Sequence, residues 1–323
     1  MKTLFSILSL AVLWQSGTAW AQFAPVNEAG LAWGHLHLYP PDRQKEILAW
    51  ISLGGKLGFN LSSNTPILFP GLLILINNPQ GNNKNPEAPL GSVGSLVDHV
   101  TFKVRDLQAS TTEWKGFVTW WLPLRSAQSG DAGMDGNWGL KVEPGSRRDQ
   151  AWVTTPGGVK IEVIEDKSLK APLAFEAIHF YVVQSDLPKI KDYYAKMFGA
   201  EPVKGEANTL SMPGGKLVFT VTATPPLPTI GRTLDHIGFN ADTADALAKF
   251  TKDVTAKGAK FYRPPRNSAF GQTALVDGFG TFVEVNKGQR GYFDLKQIEP
   301  NTYLVDEQGR TEEQVKQMRQ KKQ

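Results

Sequence analysis

Four apolar runs, GHLHLYP, VDHVTFKV, AIHFYVV and LDHIGFNA, place His35, His99, His179 and His236 in turn at the start of a segment that repeats a single plan. The run is followed by a helix-period stretch, a stop, and short apolar runs separated by turn residues, so each unit reads βαβββ. The repeat shows in the spacing. From His179 the Tyr193-Tyr194 pair lies 14 and 15 residues on and Gly199 lies 20 on; from His35 the same offsets reach Ala49-Trp50 and Gly55. Repetition of this kind constrains the fold more than any local propensity. The expected class is α+β, with four βαβββ modules.

The first module opens with a strand over Gly34 to Tyr39, and Pro40-Pro41 then starts a helix where proline is tolerated. Ile47, Leu48, Trp50, Ile51 and Leu53 follow helical spacing, Gly54-Gly55 stops them, and KLGFNL, PILF and LLILI follow as strands. Residues 77–91, rich in Asn, Pro and Gly, form a loop. The second module has a strand over Leu96 to Val104, a helix from near Asp106 through Trp114, a long polar loop containing SAQSGDAGMDGNWG, and the strands QAWVTT and VKIEVIE. The third has a strand over Ala177 to Val183, Ser185 as helix N-cap, Gly199 as stop, and a strand over Leu217 to Thr222. The fourth has a strand over Leu234 to Asn240, a helix from about Thr243 to Lys257, KFYRPP, TALVD, an Asp277-Gly278 turn and TFVEV.

Histidine is confined to these first strands: the only other one is His37, two residues beyond His35. Glu162 in VKIEVIED and Glu284 in TFVEVNKG lie on the last strands of modules two and four, so the order His, His, Glu occurs twice. Two imidazoles and a carboxylate suit borderline divalent metals, and three protein ligands leave coordination positions open. Strand alternation puts Ala177, His179, Tyr181 and Val183 on one face, and Phe282, Glu284 and Asn286 on one face opposite Val283 and Val285. A glutamate between two valines is costly to bury as an anion without a partner, and the partner is a metal or an arginine. His37 reads as an ordinary polar strand residue, with a supporting contact to the site, or the ligand role itself if the strand register is shifted, as the alternatives.

Length suits two domains at roughly 150 residues each. The chain carries a net charge of +4, but its lysines and arginines are spread along it, which argues against a nucleic-acid partner. No GxGxxG or phosphate-binding loop is present, so no nucleotide cofactor is expected. With no cysteine, disulfides, thiolate metal sites and a thiol nucleophile are excluded. Lys2, a short apolar run from Leu4 to Trp14 and Ala19-Trp20-Ala21 read as a signal peptide cleaved after Ala21, giving a periplasmic or secreted protein with no membrane attachment after cleavage. Residues 291–323 read as a charged, solvated tail.

Four βαβββ units with a histidine on each first strand and a glutamate closing each pair resemble the vicinal oxygen chelate superfamily of glyoxalase I, extradiol dioxygenases and bleomycin-resistance proteins. AIHFYVVQSDLPKIKDYYAKMFGA, LDHIGFNA and GFGTFVEV carry the resemblance most specifically, and it extends over residues 30–290. It implies paired modules, each pair one open curved sheet around a cavity. Taken in chain order, residues 22–168 form the first domain and 169–290 the second. The implied metal ligands are His35, His99 and Glu162 in the first and His179, His236 and Glu284 in the second. The metal would be Fe(II), Mn(II), Zn(II) or Ni(II), and the partner a small substrate with neighbouring oxygens. Glyoxalase I has a fourth ligand, a glutamate on the last strand of a pair's first module. Here that place falls at Leu73 to Ile76 and Leu217 to Thr220, which carry no carboxylate and favour the three-ligand triad of the dioxygenase branch. The implied activity is that of a metal-dependent dioxygenase, lyase or isomerase. The bleomycin-resistance branch implies the alternative of a non-catalytic binding or sequestering protein.

Overall fold

The computed structural model describes residues 23–58, 64–78, 91–116, 139–266 and 271–289. The expected signal peptide, the long loop of module two up to residue 138, and the tail lie outside these residues.

All four modules have the βαβββ order. Module one comprises β1 (Leu31–Leu38), α1 (Arg43–Ser52), β2 (Lys56–Leu57), β3 (Thr65–Phe69) and β4 (Leu72–Ile76). Module two comprises β5 (Val97–Val104), α2 (Leu107–Gly116), β6 (Lys141–Pro144), β7 (Gln150–Thr154) and β8 (Lys160–Glu165). Module three comprises β9 (Leu173–Val182), α3 (Leu187–Phe198), β10 (Glu201–Pro202), β11 (Thr209–Met212) and β12 (Gly215–Val221). Module four comprises β13 (Leu234–Ala241), α4 (Ala244–Ala256), β14 (Phe261–Arg266), β15 (Gln272–Val276) and β16 (Phe282–Lys287).

Helix ends follow local chemistry. Asp42 caps α1 by accepting from the Lys45 amide, and Thr243 caps α4 by accepting from the Ala246 amide. Gly199 closes α3 at φ 69°, a left-handed value that favours glycine. The expected Ser185 cap is not used: Asp186 holds the cap position without a side-chain bond to the helix backbone, and a proline in the first turn removes one amide that would need an acceptor.

Module pairing differs from chain order. Among the described residues the strands form two eight-stranded open sheets, β14-β15-β16-β13-β1-β4-β3-β2 and β10-β11-β12-β9-β5-β8-β7-β6. Module one therefore pairs with module four, and module two with module three. The division at residues 168 and 169 runs through the middle of a sheet instead of between sheets. The reason lies in the link from β8 to β9. The Asp166 amide donates to the Val104 carbonyl and the Arg105 amide to the Pro172 carbonyl. The link thus crosses the end of β5 and clamps β8 and β9 on either side of it. Modules one and four then meet through antiparallel β1 and β13, both wholly buried.

Aromatic packing joins the two sheets. Trp50 on α1 meets Phe69 of its own module and Phe102 of β5, while Phe198 on α3 stacks near Phe250 of α4 and meets Phe239 of β13. Trp33 of β1 packs edge-on to Phe175 of β9 at 5.2 Å between ring centroids. Each such buried ring contributes roughly 1.5–3 kcal/mol through apolar burial. A register shift between Trp33 and His35 lets β1 send both side chains to work. Trp33 pairs with Phe239 on the side between the sheets, and His35 pairs with Gly238 on the opposite side.

Candidate metal centres

The donors expected from the sequence converge, in a different grouping. His35, His236 and Glu284 meet on the sheet of modules one and four together with His37; His99, His179 and Glu162 meet on the other sheet. In each group the donor atoms lie within 4.8 Å of one another. The two triads assigned by chain order are thereby corrected, because the strands that carry them pair as one with thirteen and five with nine.

The strand register explains the convergence. In the first centre His35 stands opposite Gly238, and Gly238 stands beside Glu284 on parallel β16. In the second His99 stands directly opposite His179, and Thr101 stands beside Glu162 on parallel β8. Each glutamate therefore adjoins the residue two beyond a first-strand histidine. The same relation from His35 leads through His37 to Leu75, and from His179 through Tyr181 to Thr220. No carboxylate occupies either fourth position, as expected from the sequence.

The first centre is wholly buried, with His35 at 0%, His37 at 7%, and His236 and Glu284 at 1% exposure. His236 Nε2 lies 3.4 Å from Glu284 Oε1, His35 Nε2 lies 3.5 Å from Glu284 Oε2, and His37 Nδ1 lies 3.0 Å from His236 Nε2. Among the described residues His35 Nε2 has no hydrogen-bond partner, an orphaned buried nitrogen aimed at the carboxylate. Its Nδ1 meets Gln289 Nε2 at 2.7 Å, while Gln289 Oε1 is itself unpartnered. Turning that carboxamide would let Oε1 accept from His35 Nδ1–H, the tautomer that frees Nε2 for a metal. Arg263 Nη2 donates to Glu284 Oε1, so the arginine partner envisaged as the alternative to a metal is also present at this centre.

Charge in this pocket is divided among the donors. Burial alone would push His236 down, but the Glu284 and Asp235 carboxylates outweigh it and raise its pKa to about 9. Burial opposes ionisation of Glu284, yet His236 and His35 hold its carboxyl well below the usual carboxylate range. Burial lowers His35, and burial together with His236 takes His37 well below the ordinary histidine value, so both are neutral. Neutral imidazoles and an ionised carboxylate are the forms that bind a cation.

The second centre is more open, with the His179 side chain at 16% exposure. His99 and His179 stack at 4.1 Å between ring centroids. Burial, and then His99, lower the pKa of His179 to about 4. His179 Nε2 lies 3.7 Å from Glu162 Oε2, and Thr101 Oγ1 stands between them, 2.9 Å from the nitrogen and 2.8 Å from the oxygen. Gln150 Nε2 donates to the other Glu162 oxygen at 2.5 Å.

Sequence reasoning missed the groups that orient these ligands. Asp98 Oδ1 accepts from His99 Nδ1 at 2.8 Å, and Asp235 Oδ1 accepts from His236 Nδ1 at 2.5 Å. Each aspartate is held in turn by a backbone amide four residues earlier, Gly94 for Asp98 and Gly231 for Asp235. One histidine per centre is thus fixed with Nε2 facing the donor cluster. The signal was present as the Asp-His dipeptide repeated in VDHV and LDHI. His37, expected to be an ordinary strand residue, lies inside the first cluster.

The donor sets fit a divalent metal: imidazole nitrogens, one of them orphaned and buried, and an ionised carboxylate lie within 4.8 Å of one another, and a bound cation would take the place of the proton that His236 holds in its absence.

Comparison with known proteins agrees with this architecture. Residues 177–285 match the family model Glyoxalase/Bleomycin resistance protein/Dioxygenase superfamily. A Bacillus subtilis structure assigned provisionally as a dioxygenase is 15% identical at a TM-score of 0.51, covering 93% of this chain and 97% of that one. Glyoxalase I from Zea mays is 14% identical at a TM-score of 0.51, covering 83% of this chain and 95% of its own. At these identities the likeness is one of fold. No curated protein sequence matches the chain. The family match lies over modules three and four, and the fold of all four modules is that of two-domain glyoxalase I.

Proposed function

We propose that this protein is a metal-dependent enzyme that acts on a small substrate with two neighbouring oxygens at the centre formed by His99, His179 and Glu162. The observation that carries this reading is the partial exposure of His179 within a three-donor set, which leaves a bound ion room for substrate. A divalent metal held there supplies Lewis acidity toward the substrate oxygens. Asp98 fixes the tautomer of His99, and Gln150 and Thr101 hold Glu162 in place. Tyr181, on the same face two residues beyond His179, offers a hydroxyl at the edge of this centre. The reaction class is dioxygenase, lyase or isomerase, and the metal is Fe(II), Mn(II), Zn(II) or Ni(II). Residues 1–21 direct the chain to export.

One observation favours a second reading, a non-catalytic binding protein: Arg263 already neutralises Glu284 without a metal. Metal analysis of the purified protein separates the two. The enzyme reading expects about one or two divalent ions per chain and loss of one in His179→Ala; a chain that takes up none after anaerobic incubation with Fe(II), Mn(II), Zn(II) or Ni(II) refutes it. Turnover of catechols against the glutathione adduct of methylglyoxal then selects the reaction, and N-terminal sequencing of the exported protein checks cleavage after Ala21.

A further inference from the structure

We propose that the centre of modules one and four is a closed, four-ligand structural metal site in which His37 supplies the fourth ligand. The inference rests on the reading that these clusters bind a divalent metal, and it assigns them different tasks.

Three observations carry it. First, strand register leaves the fourth carboxylate position of this sheet to Leu75, and the residue directly beside Leu75 on β1 is His37. An imidazole one strand away thus stands where the sheet lacks an anionic donor. Second, His37 is aimed inward. Its Nδ1 lies 3.0 Å from His236 Nε2, while its Nε2 lies 3.3 Å from Asn64 Oδ1 and 3.1 Å from the Asn77 carboxamide nitrogen, a carboxamide whose unpartnered Oδ1 would accept from Nε2–H if it were turned. The tautomer that donates Nε2–H to Asn64 leaves the Nδ1 lone pair facing the other donors. Tyr39 stacks on the outer side of the ring at 5.1 Å between centroids, fixing its plane. Third, three imidazoles and one carboxylate are all but sealed from solvent here, whereas the second centre has Tyr181 at the place of His37 and a histidine, His179, whose side chain is 16% exposed. Four protein donors without solvent access describe a structural site, and three donors with an open side describe a reactive one.

The difference predicts two classes of bound metal. Wild-type protein loaded with Co(II) should release its metal to a chelator in two phases, one fast and one slow. His37→Ala should weaken the slow site by 10–100-fold and leave the fast phase unchanged, while His99→Ala removes the fast phase alone. The visible Co(II) spectrum of the slow site should carry the intensity of a four-coordinate ion and lose it in His37→Ala. A far-ultraviolet circular dichroism spectrum matching wild type shows that a variant has folded, and His37→Gln serves as the replacement if His37→Ala does not. Unchanged slow-phase affinity and spectrum in a folded His37 variant overturn the inference while leaving the metal reading intact. A wild-type chain that binds no Co(II) at either centre overturns both.

Discussion

The imidazole of His35 occupies the space where a side chain on Gly238 would stand: a Cβ built on Gly238 falls 2.0 Å from the ring's Cε1, far inside van der Waals contact. The backbone of residue 238 is ordinary strand, so glycine is required there for room and not for conformation. The first donor cluster therefore depends on a residue that contributes no donor. Gly238→Ala should displace His35, cost about 1–3 kcal/mol through overpacking, and remove metal from this centre while the second is kept. Urea unfolding and metal content check it, and a variant with wild-type metal content would show that His35 is not a ligand.

The aspartate behind one histidine in each centre should govern affinity without being a ligand. Asp98→Asn and Asp235→Asn replace a carboxylate that accepts from Nδ1 with an amide that can present a donor, loosening the tautomer and ring orientation. Metal affinity should fall 10–100-fold, at the second centre for Asp98→Asn and at the first for Asp235→Asn. Chelator competition measures the loss, and equal weakening of both centres by either variant would contradict the assignment.

Glu46 on α1 ties the two sheets together. Its buried carboxylate accepts from Trp50 Nε1 at 2.9 Å and from the Gly157 amide of module two at 2.7 Å. Glu46→Ala leaves both donors buried and unpartnered, for a loss of about 2–4 kcal/mol. Glu46→Gln keeps one acceptor oxygen and should cost less. Thermal unfolding ranks the three proteins, and equal stability of the alanine variant would show that water replaces the carboxylate.

Asp277, away from both centres, sets a pH dependence of stability. Its Oδ1 accepts from the amides of Phe279, Gly280 and Thr281, but its Oδ2 is buried without a partner. Burial pushes the carboxyl up to about 6. A raised acid pKa means that the folded state favours the protonated form, so the penalty is absent below about pH 4, the unfolded value, and grows as pH rises toward 6. Stability should decline across that window by roughly 3 kcal/mol from this group. Asp277→Asn retains the Oδ1 acceptor and carries no charge, so it should flatten that decline and be more stable than wild type at pH 7. Denaturant unfolding at pH 4 and pH 7 tests this; parallel declines in the two proteins would exclude Asp277 as the source.

The sequence by itself determined the modules and the faces. The period of two along each first strand decided that His179 and Tyr181 point one way while Ile178, Phe180 and Val182 point into the core, as their burial shows. The period of the helices, with Gly199 as a stop, fixed the βαβββ order of every module. Six of the seven donors in the two centres were legible because a histidine or glutamate inside an apolar strand needs a partner.

Tertiary structure alone decided which donors share a centre. The four first strands are similar, and each presents backbone groups that could pair with any of the others. Local pattern cannot specify that long-range choice, and it was made by the short link from Asp166 to Pro172 folding across the end of β5. That choice put β1 against β13, moved His35 from His99 to His236, and brought His37 within 3.0 Å of His236. Whether His37 is a strand residue or a donor depends on what lies across the strand from it, and only the folded sheet supplies that neighbour.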